Sequence, residues 1–432
     1  MTDRLYYADS FLRAFSAHVT DIREASRADG VSVWQIALDR TTFYPNSGGQ
    51  PCDTGQLTAN SRSGAILEAV VESVEEDEHG TVWHLTRKPL PVGAEVQGEI
   101  DWPRRLDHIQ QHSGQHLLSA VFAHELNAPT VSFHLGESIS TIDLATGPIA
   151  HHSLERVESI ANELIAEDRT VTIRTVDRAE AEALLAAGRL HKLPQREGSI
   201  RLIEIAGYDL NACGGTHVRS TGQIGALLLR GIEKVSRGFR VSFVCGMRGV
   251  TTAQHDFMLL GQASALLSIG SDELPAAVER MKEERKLGDK ERQRLREEVA
   301  SYHAVRLVVE EQIKGGLRLV CRSFEDRDAE YVRLLASSLT ASVPRTVTVL
   351  VSEESWPAKL VLAKSGDINL HCGELLRATL AEYGLRGGGS TEFAQTDIPK
   401  EHLEKIREDL EATISARCRL RGSRASSDTL QL

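Results

Sequence analysis

The sequence predicts a multidomain α/β protein, and three observations carry that prediction. Short β-prone runs separated by turn residues fill roughly the first hundred residues. A mixture of helical apolar spacing and short strands follows. After a strongly charged stretch, strands and helices alternate again. The expected layout is a small β-barrel over 1–103 and an α+β domain over 104–250. A helical linker over 251–314, a mixed α/β domain over 315–420 and a flexible tail over 421–432 complete it.

In the first part, Val31–Leu38 alternates apolar and polar residues in part, and 81–85 and 96–100 are short β-prone runs. Asn46-Ser47-Gly48-Gly49 and Pro91-Val92-Gly93 supply turns. Short strands with frequent turns predict a small barrel. Trp102-Pro103 opens the helical region, where Leu106, Ile109, His112, Ser113, His116, Leu117 and Ala120 recur at spacings of three and four. Further helices are expected over 154–166 and 180–187, with strands over 171–175, 200–205, 226–229 and 239–244. From Asp272 to Gln312 the chain is charged and helical. Leu274, Val278, Met281, Leu295, Val299 and Tyr302 keep a four-three spacing, but Arg285, Gly288 and Arg292 occupy the same register at its centre. This predicts a helical spacer or a hairpin bent near Gly288 rather than a continuous coiled coil. Beyond it, 317–321 and 346–351 read as buried strands, and 331–340 and 373–383 as helices, which predicts a mixed or parallel sheet.

Composition bounds the function classes. Hydrophobic residues at 41% and charged residues at 26% describe an ordinary soluble chain. No apolar run approaches the roughly 20 residues that span a bilayer, and the N-terminus lacks a basic stretch followed by an apolar one. Six scattered cysteines predict free thiols and a reducing compartment, hence a cytoplasmic protein. The net charge of −11 argues mildly against a nucleic-acid partner, although a local basic face would escape a global sum. Arg178, Arg189, His191, Lys192, Arg196 and Arg201 form one candidate cluster. Arg417, Arg419, Arg421 and Arg424 form a second, read as a solvated tail.

Two short motifs carry the chemistry. His112-Ser-Gly-Gln-His116 places two imidazoles on one helical face, because positions i and i+4 overlie each other. Cys213-Gly-Gly-Thr-His217 repeats the spacing with a thiol and an imidazole. Three imidazoles and one thiolate make a tetrahedral Zn2+ set. If all four bind, the site has the closed character of a structural zinc, whereas a catalytic zinc keeps a position open. His108 lies one helical step before His112 and is read either as a ligand or acid–base group or as a pocket-lining histidine.

The same residues carry a family resemblance. Asp107-His108-Ile109-Gln110-Gln111-His112-Ser113-Gly114-Gln115-His116-Leu117-Leu118-Ser119 resembles the first signature of alanyl-tRNA editing domains, and Asn211-Ala212-Cys213-Gly214-Gly215-Thr216-His217-Val218 resembles the second. Phe43-Tyr44-Pro45-Asn46-Ser47-Gly48-Gly49-Gln50-Pro51, with Asp53 and Gly55, resembles the glycine-rich loop of the barrel that precedes those domains. The stretch from Cys372-Gly373-Glu374 through Gly384, Arg386, Gly387, Gly388 and Gly389 resembles the tRNA-contacting DHHA1 domain, although Gly389-Ser390-Thr391 replaces its usual glycine-arginine-proline turn. The resemblance is to the long form of the AlaX-type editing proteins, which are related to the editing domain of alanyl-tRNA synthetase.

The resemblance implies a trans-editing hydrolase that removes serine, or glycine, from tRNA(Ala) by zinc-supported ester hydrolysis. The implied ligand and catalytic set is His112, His116, Cys213 and His217. Substrate contacts are expected from Gly48, Gly49 and Gln50 and from Thr130, Ser132 and His134, which strand alternation would place on one side; Thr141 and Asp143 are weaker candidates. Arg386, Gly387, Gly388 and Gly389 are expected to contact tRNA, and a homodimer through the C-terminal half is expected. A second reading is a tRNA-binding module with a purely structural zinc and no turnover.

Overall fold

The computed structural model describes residues 2–28, 31–60, 65–190, 192–194, 198–314 and 316–422. Two compact units divide the chain, Met1–Leu266 and Leu267–Leu432.

The first unit opens with β1 (Asp3–Arg4), β2 (Ala14–Ala28), β3 (Val31–Leu38), β4 (Arg40–Thr41), β5 (Gly55–Asn60), β6 (Ile66–Glu76), β7 (Val82–Thr86) and β8 (Glu95–Ile100). Six of these close into a barrel in the order β2-β3-β7-β6-β5-β8. Closure removes sheet edges, and inward alternation builds a core of Val19, Ile36, Leu38, Leu57, Val71, Val74, Val82 and Val96. The expected small barrel is therefore present.

A 25-residue helix, α1 (Trp102–Leu126), leaves the barrel directly. Its start is specified locally: the Asp101 side chain accepts from the Arg104 N–H, and a proline sits in the first turn. Asn127 closes it in a left-handed conformation. Then follow β9 (Thr130–Leu135), β10 (Ser140–Leu144), α2 (His151–Ala166), β11 (Val171–Val176), α3 (Arg178–Ala186), β12 (Ile200–Ile205), β13 (Asp209–Ala212), β14 (Leu227–Val235), β15 (Gly238–Cys245) and α4 (Gly246–Leu267). They form one sheet ordered β14-β15-β10-β9 and another ordered β11-β12-β13. Apolar residues of α1 pack with α2 and the larger sheet, through Ile109, Leu117, Val121, Phe122, Val157, Leu164, Val241 and Phe243.

The barrel and α1 are joined by a buried ion pair. Arg105, in the first turns of α1, donates from Nε to both carboxylate oxygens of Asp53, at 3.0 and 3.1 Å, and from Nη1 to Ser10 O at 2.9 Å. Asp53 also accepts from the Tyr44 N–H at 2.6 Å. Both side chains are fully buried, so each charge depends on the other and on these added hydrogen bonds. The clamp fixes where α1, and the histidines on it, lie against the loop before β5.

The second unit contains α5 (Leu274–Glu310), β16 (Arg318–Phe324), α6 (Ala329–Ser342), β17 (Thr346–Ser352), β18 (Ala358–Lys364), α7 (Cys372–Ala381), β19 (Gly388–Gly389), β20 (Phe393–Ile398) and α8 (Leu403–Gly422). Its sheet is ordered β16-β17-β18-β20-β19. Only β16 and β17 pair in parallel, around the α6 crossover, so the sheet is mixed. Residues of α7 and α8 pack with Val347, Val349 and Val351 in one core. Ala300, Ala304 and Leu307 of α5 join α6 with Leu350 and Val361 in the other.

Of the two forms expected for the charged stretch, the helical spacer is the one present. No hairpin forms near Gly288, because α5 runs unbroken through it. An interior glycine costs about 1 kcal/mol relative to alanine, which a 37-residue helix with one end packed into a core absorbs. No described helix is long and apolar enough to cross a membrane. Of the tail expected over 421–432, residues 421 and 422 belong to α8, and 423–432 fall outside the described residues.

Candidate metal centre

The side chains of His112, His116, Cys213 and His217 converge. Their potential ligand atoms all lie within 4.8 Å of one another. Helix α1 supplies the first two, whose rings stack with centroids 5.2 Å apart. The loop after β13 supplies the others, and the His217 ring lies 4.7 Å from His112 and 5.0 Å from His116. His112 Nε2 is 3.3 Å from Cys213 Sγ, already the edge of about 3.3–3.8 Å that metal–ligand bonds of 2.0–2.3 Å imply for a tetrahedron. His112 and His217 are buried, and His116 and Cys213 are partly buried as whole residues.

The donor set fits Zn2+. His116 Nε2 and His217 Nε2 are buried with no hydrogen-bond partner, an arrangement that is costly unless something else binds them. Three imidazole nitrogens and a sulfur match a borderline-soft tetrahedral ion. Burial, with the neighbouring histidines and Arg201 adding to it, holds His112 and His217 well below their ordinary pKa. Burial brings His116 down to about 4. The imidazoles are thus neutral, as ligands must be. Burial pushes the Cys213 thiol up, against the Gly215 N–H and Arg201.

A second layer holds these groups. Gln50 Oε1 lies 2.7 Å from His112 Nδ1. The Ser113 hydroxyl accepts from the Val218 N–H at 3.1 Å and lies 3.4 Å from His217 Nδ1. Arg201 Nη1 donates to the carbonyls of Cys213 and Gly215, at 2.9 and 2.8 Å, and so shapes the loop. The loop comes so close to α1 that a Cβ at Gly215 would sit 2.1 Å from His112 Cε1. Gly215 therefore has a steric reason, which Gly214 lacks.

The glycine-rich loop before β5 lies beside the ligand loop. Gly49 has φ +79°, and a Cβ there would lie 2.7 Å from the Phe133 ring, which is itself 5.7 Å from His112. A cavity of about 140 Å³ adjoins Cys213, between Tyr6, Tyr7, Tyr44, Ser47 and Gly48. Gln50 differs from its neighbours: it is wholly buried, and its amide is engaged inside the protein.

Strand β9 departs from simple alternation. Its register against β10 shifts between Asp143 and Leu144, so Leu144 pairs with Thr130 while Asp143 pairs with Ser132. This bulge puts Thr130 on the face of Phe133 and leaves Ser132 and His134 on the other, so the three do not share a side. Thr130 Oγ1 donates to Ser119 Oγ on α1 at 2.7 Å, and Gln115 Nε2 reaches the same Ser119 oxygen at 2.9 Å. Ser132 donates to Asp143 at 2.8 Å, and Asp143 is paired with Arg240. His134 is exposed and pairs across the strands with Thr141.

His108 is nearly buried, and its Nδ1 has no partner. Burial, then Arg104, brings its pKa down to about 4. It is not one of the four clustered side chains. In the first basic cluster, Arg178 pairs with Glu182 and Arg189 with Glu204, while Arg201 serves the ligand loop. His191 and Arg196 lie outside the described residues, as do the side chains of Arg419, Arg421 and Arg424. In the second unit Arg386 is exposed, and its carbonyl accepts from Thr396. Gly388 and Gly389 pair with Gln395 and Ala394. Phe133, Ser113, Arg201 and the Arg105–Asp53 pair were not singled out by the sequence for these roles, since no local spacing marks them.

Fold and site together define a small barrel fused to an α+β unit that carries a buried, metal-capable three-histidine, one-cysteine cluster. Residues 1–104 match the class II (A) tRNA synthetases, and residues 200–240 match the threonyl and alanyl tRNA synthetase second additional domain. The chain is 29% identical over 426 residues to the alanyl-tRNA editing protein AlaX-L of Pyrococcus horikoshii, covering 95% of this chain and 100% of that protein. It is 31% identical over 431 residues to the alanine–tRNA ligase of Pyrococcus abyssi, covering 96% of this chain and 43% of the ligase. It is also 31% identical over 411 residues to that of Pyrobaculum neutrophilum, covering 91% and 42%. The chain thus spans less than half the length of these ligases. It is a homologue of the alanyl-tRNA editing protein AlaX-L and of the editing domains of alanyl-tRNA synthetases.

Proposed function

We propose that this protein is a trans-editing hydrolase that deacylates Ser-tRNA(Ala), and Gly-tRNA(Ala), in the cytoplasm. The observation that carries the reading is the His112, His116, Cys213 and His217 cluster, with two orphaned ring nitrogens and a cavity lined by Cys213, in a homologue of an alanyl-tRNA editing protein. These four side chains would hold Zn2+, and if one of them gives way or the coordination expands to five, the ion would supply Lewis-acid polarisation of an oxygen ligand.

The chain's own residues do the remaining work. In the reaction, a water oxygen adds to the ester carbonyl carbon. The bond from that carbon to the ribose oxygen breaks, the ribose oxygen takes one proton of the water and becomes a hydroxyl, and the amino acid leaves as its carboxylate with the other proton released. Such an activated ester needs placement more than a protein nucleophile. Phe133 lies between Gly49 and His112, and Gly48 lines the cavity beside Cys213. Thr130, held against Ser119, is the hydroxyl that would meet the serine side chain. The hydrogen bond that serine makes there and alanine lacks is worth about 0.5–1.5 kcal/mol, roughly two- to tenfold in rate. Removal of glycine would rest on exclusion of the alanine methyl instead. Arg386 to Gly389, in a DHHA1-like second unit, would contact the tRNA body, and two copies would associate through the C-terminal half.

The test is turnover. The wild-type protein should release serine from Ser-tRNA(Ala) over many cycles, and Cys213→Ala should lose that activity while still binding tRNA. Tight binding with no turnover by the zinc-loaded wild type would instead identify a tRNA-binding module with a structural zinc.

A further inference from the structure

We infer that Gln50 is a positioning residue: the barrel's glycine-rich loop reaches into the ligand cluster through this one amide and fixes the ring of His112 with its Nε2 lone pair toward Cys213. Its orientation follows from its partners. The Thr216 backbone N–H, which can only donate, lies 3.1 Å from Gln50 Oε1, so that atom is the amide oxygen. The opposite end agrees, because Gln50 Nε2 donates to Thr216 Oγ1 at 2.9 Å. His112 Nδ1 sits 2.7 Å from the same oxygen. An amide oxygen has no proton to give, so His112 Nδ1 must carry one. The neutral imidazole has a single N–H, which leaves Nε2 bare, 3.3 Å from Cys213 Sγ.

One buried side chain therefore touches both halves of the cluster. Through His112 it holds α1, and through Thr216 it holds the loop between Cys213 and His217. Gln50 is fully buried, and the loop offers Gly48 rather than Gln50 to the adjoining cavity. Its work is thus on the ligands. Partners of this kind orient metal-binding histidines, and losing one typically lowers metal affinity 10–100-fold. The inference rests on the reading that the four side chains hold a metal, but the ring's proton can be observed without one.

The test uses the full chain with 15N-labelled histidine. In the zinc-free wild type, long-range 1H–15N correlation should show His112 protonated at Nδ1 and bare at Nε2. Gln50→Leu removes the acceptor. It should move part of the proton to Nε2 and weaken zinc binding 10–100-fold in a chelator competition. Gln50→Glu keeps an acceptor at the same place, so it should keep the Nδ1–H signal and stay within about tenfold of wild-type zinc affinity. Should Gln50→Leu fail to fold, the glutamate variant decides: retained proton position and affinity support the inference, and their loss overturns it. A wild-type His112 protonated at Nε2 would overturn it, as would a folded Gln50→Leu with unchanged tautomer and zinc affinity. A wild type that shows the Nδ1 proton, shifts it in Gln50→Leu, and takes up no zinc would support the role of Gln50 and refute the metal reading.

Discussion

Replacing Gly215 by alanine probes the site through a single methyl. The added Cβ would lie 2.1 Å from His112 Cε1, 2.4 Å from its Nδ1 and 3.1 Å from Gln50 Oε1. Ordinary contact starts at 3.4 Å, so ring or loop must yield by about 1.3 Å. The ring cannot swing freely, since Gln50 holds one edge and His116 stacks on its face. The loop must move instead, and it carries Cys213 away from His112. Overpacking of this kind costs about 1–3 kcal/mol, and melting should fall by roughly 2–4 °C per kcal/mol in a unit of this size. Zinc affinity should drop by about tenfold or more, each factor of ten being about 1.4 kcal/mol. Gly214→Ala is the control, because its Cβ would meet nothing nearer than the Tyr7 hydroxyl at 3.6 Å. Chelator competition and thermal melting read both variants. If Gly215→Ala matches the wild type, or if Gly214→Ala is equally damaging, the steric account of this loop is wrong.

Further expectations follow from other parts of the structure. Thr130→Val should narrow the ratio of Ser- to Ala-tRNA(Ala) hydrolysis with zinc content unchanged, whereas Ser132→Ala, bonded to Asp143 on the opposite face, should leave the ratio alone. Arg105→Met should destabilise the first unit by about 3–5 kcal/mol, because it strands the buried Asp53 charge; denaturant titration should show a smaller loss when Asp53→Leu is added. His84 is buried, with Nδ1 donating to Ile36 O and Nε2 accepting from the Thr41 hydroxyl, and burial brings its pKa from 6.5 down to about 4. The unfolded chain binds its proton first, so His84's contribution is complete above pH 6.5 and is lost as pH falls toward 4, by roughly 3 kcal/mol. Equilibrium unfolding across that window should show less pH dependence in His84→Gln, and an unchanged slope would refute the assignment.

What the sequence made legible was local. Two ligand pairs at a spacing of four, a proline in the first turn of α1, and β-prone runs between turns are patterns within a few residues of each other. Each reappears in the structure. What it hid was long-range or irregular. The β9 bulge adds one residue to one strand, and this flips Ser132 and His134 relative to Thr130; no residue type there announces it. Gln50 is expected among the substrate contacts by resemblance alone, and no local pattern shows that its amide is bound to residues 62 and 166 positions away. The α5 stripe failed at Gly288 by pattern, but packing of Ala300, Ala304 and Leu307 sustains the helix from its far end. Strand β20 alternates buried and exposed residues and was readable in principle, although its charged and polar outer face obscured it.

The central claim is tested most directly by deacylation of Ser-, Gly- and Ala-tRNA(Ala) measured side by side with the zinc-loaded wild-type protein. The account predicts that the seryl ester is hydrolysed roughly two- to tenfold faster than the alanyl ester, the factor set by the one hydrogen bond to Thr130. The glycyl ester should also be cleaved. Equal rates for the seryl and alanyl esters, or no hydrolysis of any of the three, would contradict it.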